Sequence, residues 1–208
     1  PPAGTFIQVS AGWHPPCGVK TDGTVECWGN DNAGQASPPD GTFIQVSAGY
    51  RYTCGVKEDG LIECWSKFLG GDDPPPGVFT QISAGNDHAC AVTEFGYIEC
   101  WGDNDWFDPD QTPPYSGVQG QVSCGYEYCC LLDSFSGEVY CWGNINSWVV
   151  APLRDDPSDP IRTYSQVSAS YNTPYSVGSG CALSSDDERV YCWGDYAGSA
   201  PSETFIQV

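Results

Sequence analysis

Short segments of alternating apolar and polar residues recur along the chain, bounded by glycine, proline and asparagine. The first reads FIQV at 6–9, and apolar-rich runs follow at 17–20 and 24–28, separated by the turn-forming residues 21–23. Alternation with a period of two between such turn residues is typical of β-strands. Helical periodicity is absent from the sequence, so the pattern predicts an all-β chain.

This group of strands repeats with a period close to 40 residues, and a glutamine marks its first strand at positions 8, 45, 81, 121, 166 and 207. Repeats of about 40 residues with three or four strands each are typical of propeller blades. We therefore predict a β-propeller of about five short blades, in which a short outer strand would be the fourth. The repeats are predicted at approximately 5–41, 42–78, 79–117, 118–162 and 163–203, with a partial sixth at 204–208, in a single repeat domain spanning 1–208.

Ten of the twelve cysteines fall in pairs across the predicted central hairpins. A three-residue loop with glycine in its third place, as at Gly23, puts Cys17 directly opposite Cys27. Directly opposed side chains lie about 5 Å apart, which suits a disulfide. The same register pairs Cys54 with Cys64 and Cys90 with Cys100, and a four-residue loop pairs Cys130 with Cys141 and Cys181 with Cys192.

Two further cysteines, Cys124 and Cys129, break this pattern. They lie five residues apart between two predicted strands, so a sixth, local disulfide is expected. Intermolecular pairing is the alternative, and the adjacent Cys129 and Cys130 also allow exchanged partners. Zinc sites use close pairs of ligands, which the cysteine spacing of this chain lacks.

Composition narrows the class of protein. The chain carries 27 acidic and 7 basic residues, for a formal net charge of −20, which would repel nucleic acid and anionic membranes. No apolar run approaches the length of a membrane-spanning helix, so membrane insertion is not expected. An even, regularly spaced set of cysteines indicates an oxidising compartment, and we expect an extracellular or cell-surface location.

The motifs QVSAG, C-x-V, DG, ECWG-N and GQ, read from Gln8 to Gln35, resemble the repeat of the regulator-of-chromosome-condensation family. The resemblance extends over 5–208, and the short, cysteine-rich repeat is similar to that of the secreted members, which include a β-lactamase inhibitor. It implies a β-propeller, commonly of seven blades. The nuclear role of the family, nucleotide exchange on a small GTPase at chromatin, is not expected because the chain is acidic and rich in cysteine.

The number of strands raises the question of closure, since five hairpins accompany six copies of the first strand. The chain is either a closed five-bladed ring, a part of a longer repeat protein, or a unit of an open array whose spare strand pairs with a neighbouring molecule. The predicted self-assembly strands are Thr5, Phe6, Ile7, Gln8 and Val9 with Thr204, Phe205, Ile206, Gln207 and Val208.

Candidate chemistry is sparse. The two histidines, His14 and His88, are interpreted as structural, and no nucleophile or phosphate-binding motif occurs, so no catalytic residue and no enzyme activity is predicted. The alternating acids Asp103, Asp105, Asp108 and Asp110 offer oxygen ligands for calcium, although the glycine and glutamate of an EF-hand are missing and a solvated acidic loop is the alternative. No other cofactor is expected.

Tryptophans divide into two groups. Trp28, Trp65, Trp101, Trp142 and Trp193 each follow the second cysteine of a pair, and this fixed place predicts packing between blades. Trp13, Trp106 and Trp148 fall outside the pattern and are candidates for ligand binding, with packing beneath long loops as the alternative.

We therefore expect a non-enzymatic extracellular structural or protein-interaction module that self-associates through its spare strand into an array or filament. A carbohydrate-binding lectin that uses loop aromatics and acids is the alternative function, and a secreted enzyme inhibitor is a further one. The expected partners are proteins or other copies of the chain, then carbohydrate.

Overall fold

The computed structural model describes residues 3–12, 15–66, 73–102, 119–143, 163–169 and 180–193. These residues form five separate three-stranded antiparallel sheets, and in each sheet the strands lie side by side in chain order. The predicted all-β architecture of short blades is confirmed. Within these ranges no helix is long and apolar enough to cross a membrane.

Each repeat contributes one blade, and blades are numbered here in chain order. Blade 1 contains β1 (Phe6–Ala11), β2 (Pro16–Lys20) and β3 (Val25–Cys27); blade 2 contains β4 (Phe43–Ala48), β5 (Thr53–Lys57) and β6 (Ile62–Trp65); blade 3 contains β7 (Phe79–Ala84), β8 (His88–Thr93) and β9 (Ile98–Gly102). Blade 4 contains β10 (Gly120–Cys124), β11 (Tyr128–Asp133) and β12 (Val139–Gly143), and blade 5 contains β13 (Tyr164–Ala169), β14 (Gly180–Ser184) and β15 (Val190–Trp193).

The register of each central hairpin is the predicted one. In blade 1, Cys17 pairs with Cys27 and Val19 with Val25, and the Lys20 N–H donates to the Thr24 carbonyl at 2.8 Å. The third loop residue, Gly23, has φ +81°, a left-handed value that glycine adopts without steric cost. All five predicted hairpin disulfides are present: Cys17–Cys27, Cys54–Cys64, Cys90–Cys100, Cys130–Cys141 and Cys181–Cys192.

Blades 4 and 5 have the longer loop that the larger cysteine spacing predicts. The Asp133 N–H donates to the Glu138 carbonyl and the Ser184 N–H to the Arg189 carbonyl, both at 2.8–2.9 Å, so four residues are left in each loop. The last loop residue of blade 4 is Gly137, with φ +71°. Blade 5 has Glu188 there, with φ +56°, in a region that disfavours side chains carrying a Cβ.

The fourth, outer strand is not found where the structure describes the corresponding loop. The loop between blades 1 and 2, at 28–42, contains turns but no strand. Instead it returns beneath blade 2, where Gln35 is buried and its carbonyl accepts a hydrogen bond from the Trp65 indole at 3.1 Å. The loop thus covers the neighbouring blade rather than widening its own.

The hydrophobic core lies between blades rather than within them. Each cluster combines the disulfide and the branched hairpin residues of one blade with a branched residue and the tryptophan of the next, and every cluster except that between blades 3 and 4 also contains an aromatic residue from the start of the next blade. Cys17, Val19, Val25 and Cys27 of blade 1 pack in this way with Phe43, Val46 and Trp65 of blade 2. Equivalent clusters join blades 2 and 3, 3 and 4, and 4 and 5. The predicted packing of the repeated tryptophans between blades is found at Trp65, Trp101, Trp142 and Trp193.

The left-handed loop residues give a matched pair of stability tests. A Cβ on Gly60, at φ +80°, would lie 2.5 Å from Val78 Cγ1, so Gly60→Ala should lower the free energy of unfolding by about 1–2 kcal/mol or more. Glu188→Gly should raise it by about 0.5–1 kcal/mol, because glycine tolerates this conformation. Denaturant titration of the oxidised protein measures both values, and changes of the same sign in the two variants would contradict the explanation.

Candidate functional site

The first four inner strands, β1, β4, β7 and β10, are each joined to the next blade by a glutamine side chain. Gln8 Oε1 accepts a hydrogen bond from the Val46 N–H and Gln8 Nε2 donates to the Val46 carbonyl, both at 3.0 Å. Gln81 makes the same two bonds to Val122, at 2.9 and 3.2 Å. Gln45 accepts from the Ile82 N–H at 2.8 Å, and Gln121 accepts from the Val167 N–H at 3.1 Å. The amide group therefore satisfies backbone groups at the free edge of the next inner strand, as a neighbouring strand would.

A serine two residues after the glutamine makes a second link. Its hydroxyl oxygen accepts from a backbone N–H of the next blade, two residues beyond the one bound by the glutamine. The four bonds run from Ala48 N–H to Ser10, Ala84 N–H to Ser47, Cys124 N–H to Ser83 and Ala169 N–H to Ser123, at 3.0, 2.9, 2.8 and 2.8 Å. The four blade interfaces thus share one arrangement.

The glycine that closes the QVSAG motif permits close approach of the backbones. A Cβ on Gly12 would lie 2.3 Å from the Gly49 carbonyl oxygen, and one on Gly49 would lie 2.6 Å from that of Gly85. A Cβ on Gly85 would lie 2.7 Å from the Gly125 carbonyl oxygen. No side chain fits at such distances, which explains why this motif requires glycine.

We call the interface between consecutive blades a seam. The earlier blade offers a trailing face, made of its glutamine, serine and disulfide. The later blade offers a leading face, made of the branched residue and small residue of its inner strand, its tryptophan and, except in blade 4, its first aromatic residue. Sequence reasoning assigned the tryptophan correctly but missed the glutamine and serine, whose recurrence in otherwise buried strands was the available signal.

Blade 1 has a complete leading face with little covering it. Val9 is 65% exposed, whereas its equivalents Val46, Ile82, Val122 and Val167 are 1–2% exposed. Phe6 and Trp28 are half-buried but make the same edge-to-face contact as Phe43 and Trp65, with ring centroids 5.9 Å apart in both blades. The face is therefore already arranged as in blade 2.

Two backbone N–H groups of this face lack the side-chain acceptors that their equivalents in blade 2 have among the described residues. Because β1 and β4 have the same register with their second strands, the N–H groups of Val9 and Ala11 point away from β2, as those of Val46 and Ala48 point away from β5. Ala11 is exposed, and neither N–H has a glutamine or serine partner within the described ranges. Two backbone donors and an apolar surface thus lie side by side on blade 1.

A buried sulfur-rich cluster lies in the seam between blades 3 and 4. Cys124 and Cys129 are joined in a disulfide, and Cys129 Sγ lies 3.4 Å from both Cys90 Sγ and His88 Nε2. Cys129 faces blade 3, whereas the adjacent Cys130 faces blade 5. The alternation of side chains along β11 therefore separates the two cysteines and gives each its own partner.

This cluster also has the composition of a metal site, since ligand atoms of His88, Cys124 and Cys129 all lie within 4.8 Å of one another. Both sulfurs are consumed by the disulfide, and a metal ligand must be a thiolate. Desolvation lowers the pKa of His88 to about 4, against a smaller opposite effect of its hydrogen bond to the Tyr128 backbone. The neutral ring therefore acts as a packing group, as Tyr52 does at the equivalent place one blade earlier.

Of the predicted site residues, Thr5, Phe6, Ile7, Gln8 and Val9 lie on blade 1, with Phe6 and Val9 on its leading face and Gln8 on its trailing face. The proposed calcium ligands Asp103, Asp105, Asp108 and Asp110, the ligand-binding candidates Trp13, Trp106 and Trp148, and the strand residues Thr204, Phe205, Ile206, Gln207 and Val208 lie outside the described residues.

The geometry is that of a propeller assembled from sequential blades, and comparison with known proteins agrees. The Regulator of chromosome condensation (RCC1) repeat matches residues 79–105 and 121–147, that is, blades 3 and 4. The resemblance inferred from the sequence motifs is thereby confirmed. No curated protein sequence matches the chain.

Several solved structures are similar. The Crinkly WD40 ectodomain of the Arabidopsis thaliana receptor kinase ACR4 has a TM-score of 0.72 at 23% identity, over 95% of this chain and 67% of that structure. The entire ectodomain of the Physcomitrella patens receptor kinase CR4 has a TM-score of 0.80 at 19% identity, over 99% and 56%. Prp20p from Saccharomyces cerevisiae has a TM-score of 0.68 at 17% identity, over 91% and 58%. The chain thus spans 56–67% of the length of these structures, and the likeness concerns the fold.

The serine link can be tested on two equivalent serines. Ser47→Ala removes the partner of the buried Ala84 N–H and should lower the free energy of unfolding by about 1–3 kcal/mol. Ser168→Ala at the same position of blade 5 should change it by less than about 0.5 kcal/mol, since Ser168 is exposed. Denaturant titration in dilute solution compares them, and equal losses would count against the link.

Burial of His88 predicts a pH dependence of stability. The pKa of His88 lies below its ordinary value in the folded chain, so the unfolded chain takes up a proton first as the pH falls. The free energy of unfolding should be fully retained above about pH 6.5 and decline by about 3 kcal/mol towards pH 4.

The variant His88→Tyr reproduces the residue found at Tyr52 and Tyr128 and removes the titrating group. Its free energy of unfolding, measured by denaturant titration at several pH values, should therefore decline by about 3 kcal/mol less than that of the unmodified chain between pH 6.5 and 4. An unchanged pH profile in the variant would show that the decline comes from other groups.

Proposed function

We propose that this chain is a non-enzymatic, extracellular structural and protein-interaction module that associates with other copies through the leading face of blade 1. One observation carries the proposal: Val9 is 65% exposed, whereas its four equivalents are 1–2% exposed beneath a neighbouring blade. The equivalent surface is buried in the four other blades, and blade 1 has the same residues there as blade 2, so it is suited to a partner of the same kind.

The energetics favour covering this face. Burial of a valine side chain contributes about 1.5–3 kcal/mol, and Phe6 and Trp28 add further apolar surface. The Val9 and Ala11 N–H groups would gain side-chain acceptors, as Val46 and Ala48 do from Gln8 and Ser10. None of these residues is charged, so the face itself adds nothing to the electrostatic repulsion between two copies that each carry a net charge of −20.

The extracellular location is supported by the six disulfides and by the fold shared with receptor-kinase ectodomains. In an oxidising compartment these disulfides persist, so their sulfur atoms stay part of the apolar clusters between blades.

Self-association through the strands 5–9 and 204–208 is the finer part of the proposal. The blade 1 strand contributes Phe6 and Val9 to the leading face, and the C-terminal segment repeats its sequence, TFIQV. Repeated association of this kind would extend the array of blades beyond one chain and give an oligomer or filament.

Carbohydrate binding through Trp13, Trp106 and Trp148, calcium binding by Asp103, Asp105, Asp108 and Asp110, and inhibition of an enzyme stay predictions. The residues that motivate the first two lie outside the described part of the chain. No observation on the described blades favours any of the three over association through the leading face.

The proposal predicts concentration-dependent association that a single charge in the leading face weakens. Val9→Asp places a carboxylate in the centre of the leading face and should weaken association at least about tenfold, a cost of about 1.4 kcal/mol. Light scattering of the oxidised protein over a concentration series measures the mass. Salt should strengthen the association of the unmodified chain by screening the repulsion between acidic copies.

The matched control is Ile7→Asp on the same strand. Ile7 is 62% exposed, and its equivalent Ile44 is still 47% exposed beside a neighbouring blade, so this position lies outside the seam. The Ile7 variant should associate like the unmodified chain. Equal weakening by both substitutions would indicate general charge repulsion, and a chain that is monomeric at every concentration and salt would refute the proposal.

A further inference from the structure

The seam between blades 3 and 4 contains two disulfides that touch each other. Cys90–Cys100 is the hairpin disulfide of blade 3, and Cys124–Cys129 is the additional disulfide of blade 4. The Sγ atoms of Cys90 and Cys129, which belong to different disulfides, lie 3.4 Å apart within one apolar cluster. A disulfide bond is about 2.05 Å long, so a movement of about 1.4 Å would join these two sulfurs.

The contact arises because blade 4 has a cysteine at a position that faces the preceding blade. This position directly precedes the first hairpin cysteine. Blade 2 has Thr53 there, with its Oγ1 atom 3.8 Å from Cys17 Sγ of blade 1. Blade 3 has Ala89, which lies in one cluster with Cys54 of blade 2. Among the described seams, only the one between blades 3 and 4 therefore places a second sulfur beside the hairpin disulfide.

Solvent reaches the sulfurs of this seam unequally. Cys90 and Cys129 are 0% exposed and Cys124 is 8% exposed, whereas Cys100 is partly exposed. A thiolate from solution therefore reaches Cys100 before the other three cysteines. In thiol–disulfide exchange the sulfur that is not attacked leaves with the electron pair, so attack at Cys100 releases the thiolate of Cys90.

We propose that the seam between blades 3 and 4 is a site of thiol–disulfide exchange whose substrate is a small thiol such as glutathione. The thiolate of the small thiol forms a mixed disulfide with Cys100, and the Cys90–Cys100 bond breaks with its electron pair on Cys90. The Cys90 thiolate then bonds to Cys129 Sγ, and the Cys124–Cys129 bond breaks with its electron pair on Cys124. The Cys124 thiolate takes a proton from water. One thiol is consumed and one is formed, so the exchange needs neither an oxidant nor a reductant.

The product differs from the starting chain in two respects. Cys90–Cys129 joins β8 to β11, so blades 3 and 4 become linked by a covalent bond across their seam. The mixed disulfide on Cys100 is also retained, because the Cys90 thiolate that would otherwise return to Cys100 and expel the small thiol is used in the new bond. The contact between the two disulfides thus makes Cys100 a stable site of modification.

The test compares the unmodified chain with the double variant Cys124→Ala and Cys129→Ala. Blade 3 has alanine at both equivalent positions, Ala84 and Ala89, so the variant carries side chains that a seam accommodates. Both proteins are incubated with glutathione, quenched with acid, alkylated in denaturant and cleaved after Glu127, which separates Cys124 from Cys129. Peptide mass spectrometry then locates the glutathione adduct, the alkyl label and the disulfides.

In the unmodified chain, glutathione should be found on Cys100 and the alkyl label on Cys124, and one linked peptide should contain Cys90 and Cys129. The double variant should lose most of the adduct, because its Cys90 thiolate can only return to Cys100. The proposal is refuted by an alkyl label on Cys90 beside the adduct, by equal amounts of adduct in the two proteins, or by an unmodified chain that takes up no glutathione.

A second measurement needs no added thiol. Cys100→Ser leaves Cys90 without its hairpin partner, and the matched control Cys64→Ser does the same to Cys54, which faces Ala89 instead of a sulfur. Alkylation and peptide mapping then locate the one thiol that each variant carries.

The thiol of the Cys100 variant should be found on Cys124, with Cys90 joined to Cys129, whereas the thiol of the control should stay on Cys54. A thiol that stays on Cys90 would overturn the exchange. A thiol that leaves Cys54 in the control would show that exchange does not depend on the contact between the two disulfides. The glutathione experiment leaves all hairpin disulfides in place, so it decides the question even if a single variant fails to fold.

Discussion

Burial of an inner strand beneath its neighbour depends on a partner for the N–H groups along its free edge. A buried N–H without a partner costs about 1–3 kcal/mol, which is comparable to what the burial of one valine contributes. Gln8 and Ser10 supply the acceptors for Val46 and Ala48, and the same residue types do so at the three following seams. The apolar contacts of a seam can form because these two polar side chains remove the penalty.

The disulfides contribute to this arrangement in two ways. Each one closes a hairpin, which restricts the unfolded chain. The central-hairpin disulfides of blades 1 to 4 also lie in a seam, where the next blade covers them. A three-stranded sheet has little apolar interior of its own, so the sulfur atoms form part of the core. In blade 4 two disulfides serve opposite seams, since Cys129 and Cys130 point to different neighbours.

Much of the blade could be predicted from the sequence because its determinants are local. The positions of Gly23 and of Cys17 and Cys27 fix the hairpin register, and the register fixes the disulfide. The roles of Gln8 and Ser10 are not local, because their partners lie 38 residues away and the alternating pattern treats them only as polar positions. The exposure of Val9 could not be predicted either, since its sequence context is identical to that of Val46.

The seams hold the same geometry while the chain between them changes length. The serine bond spans 38 residues between blades 1 and 2, 37 between blades 2 and 3, 41 between blades 3 and 4, and 46 between blades 4 and 5. Closing the longest of these connections instead of the shortest costs only about 0.2 kcal/mol of loop entropy. The outer loops can therefore lengthen and diversify one at a time during evolution, because the serine bonds that join the blades are the same at each loop length.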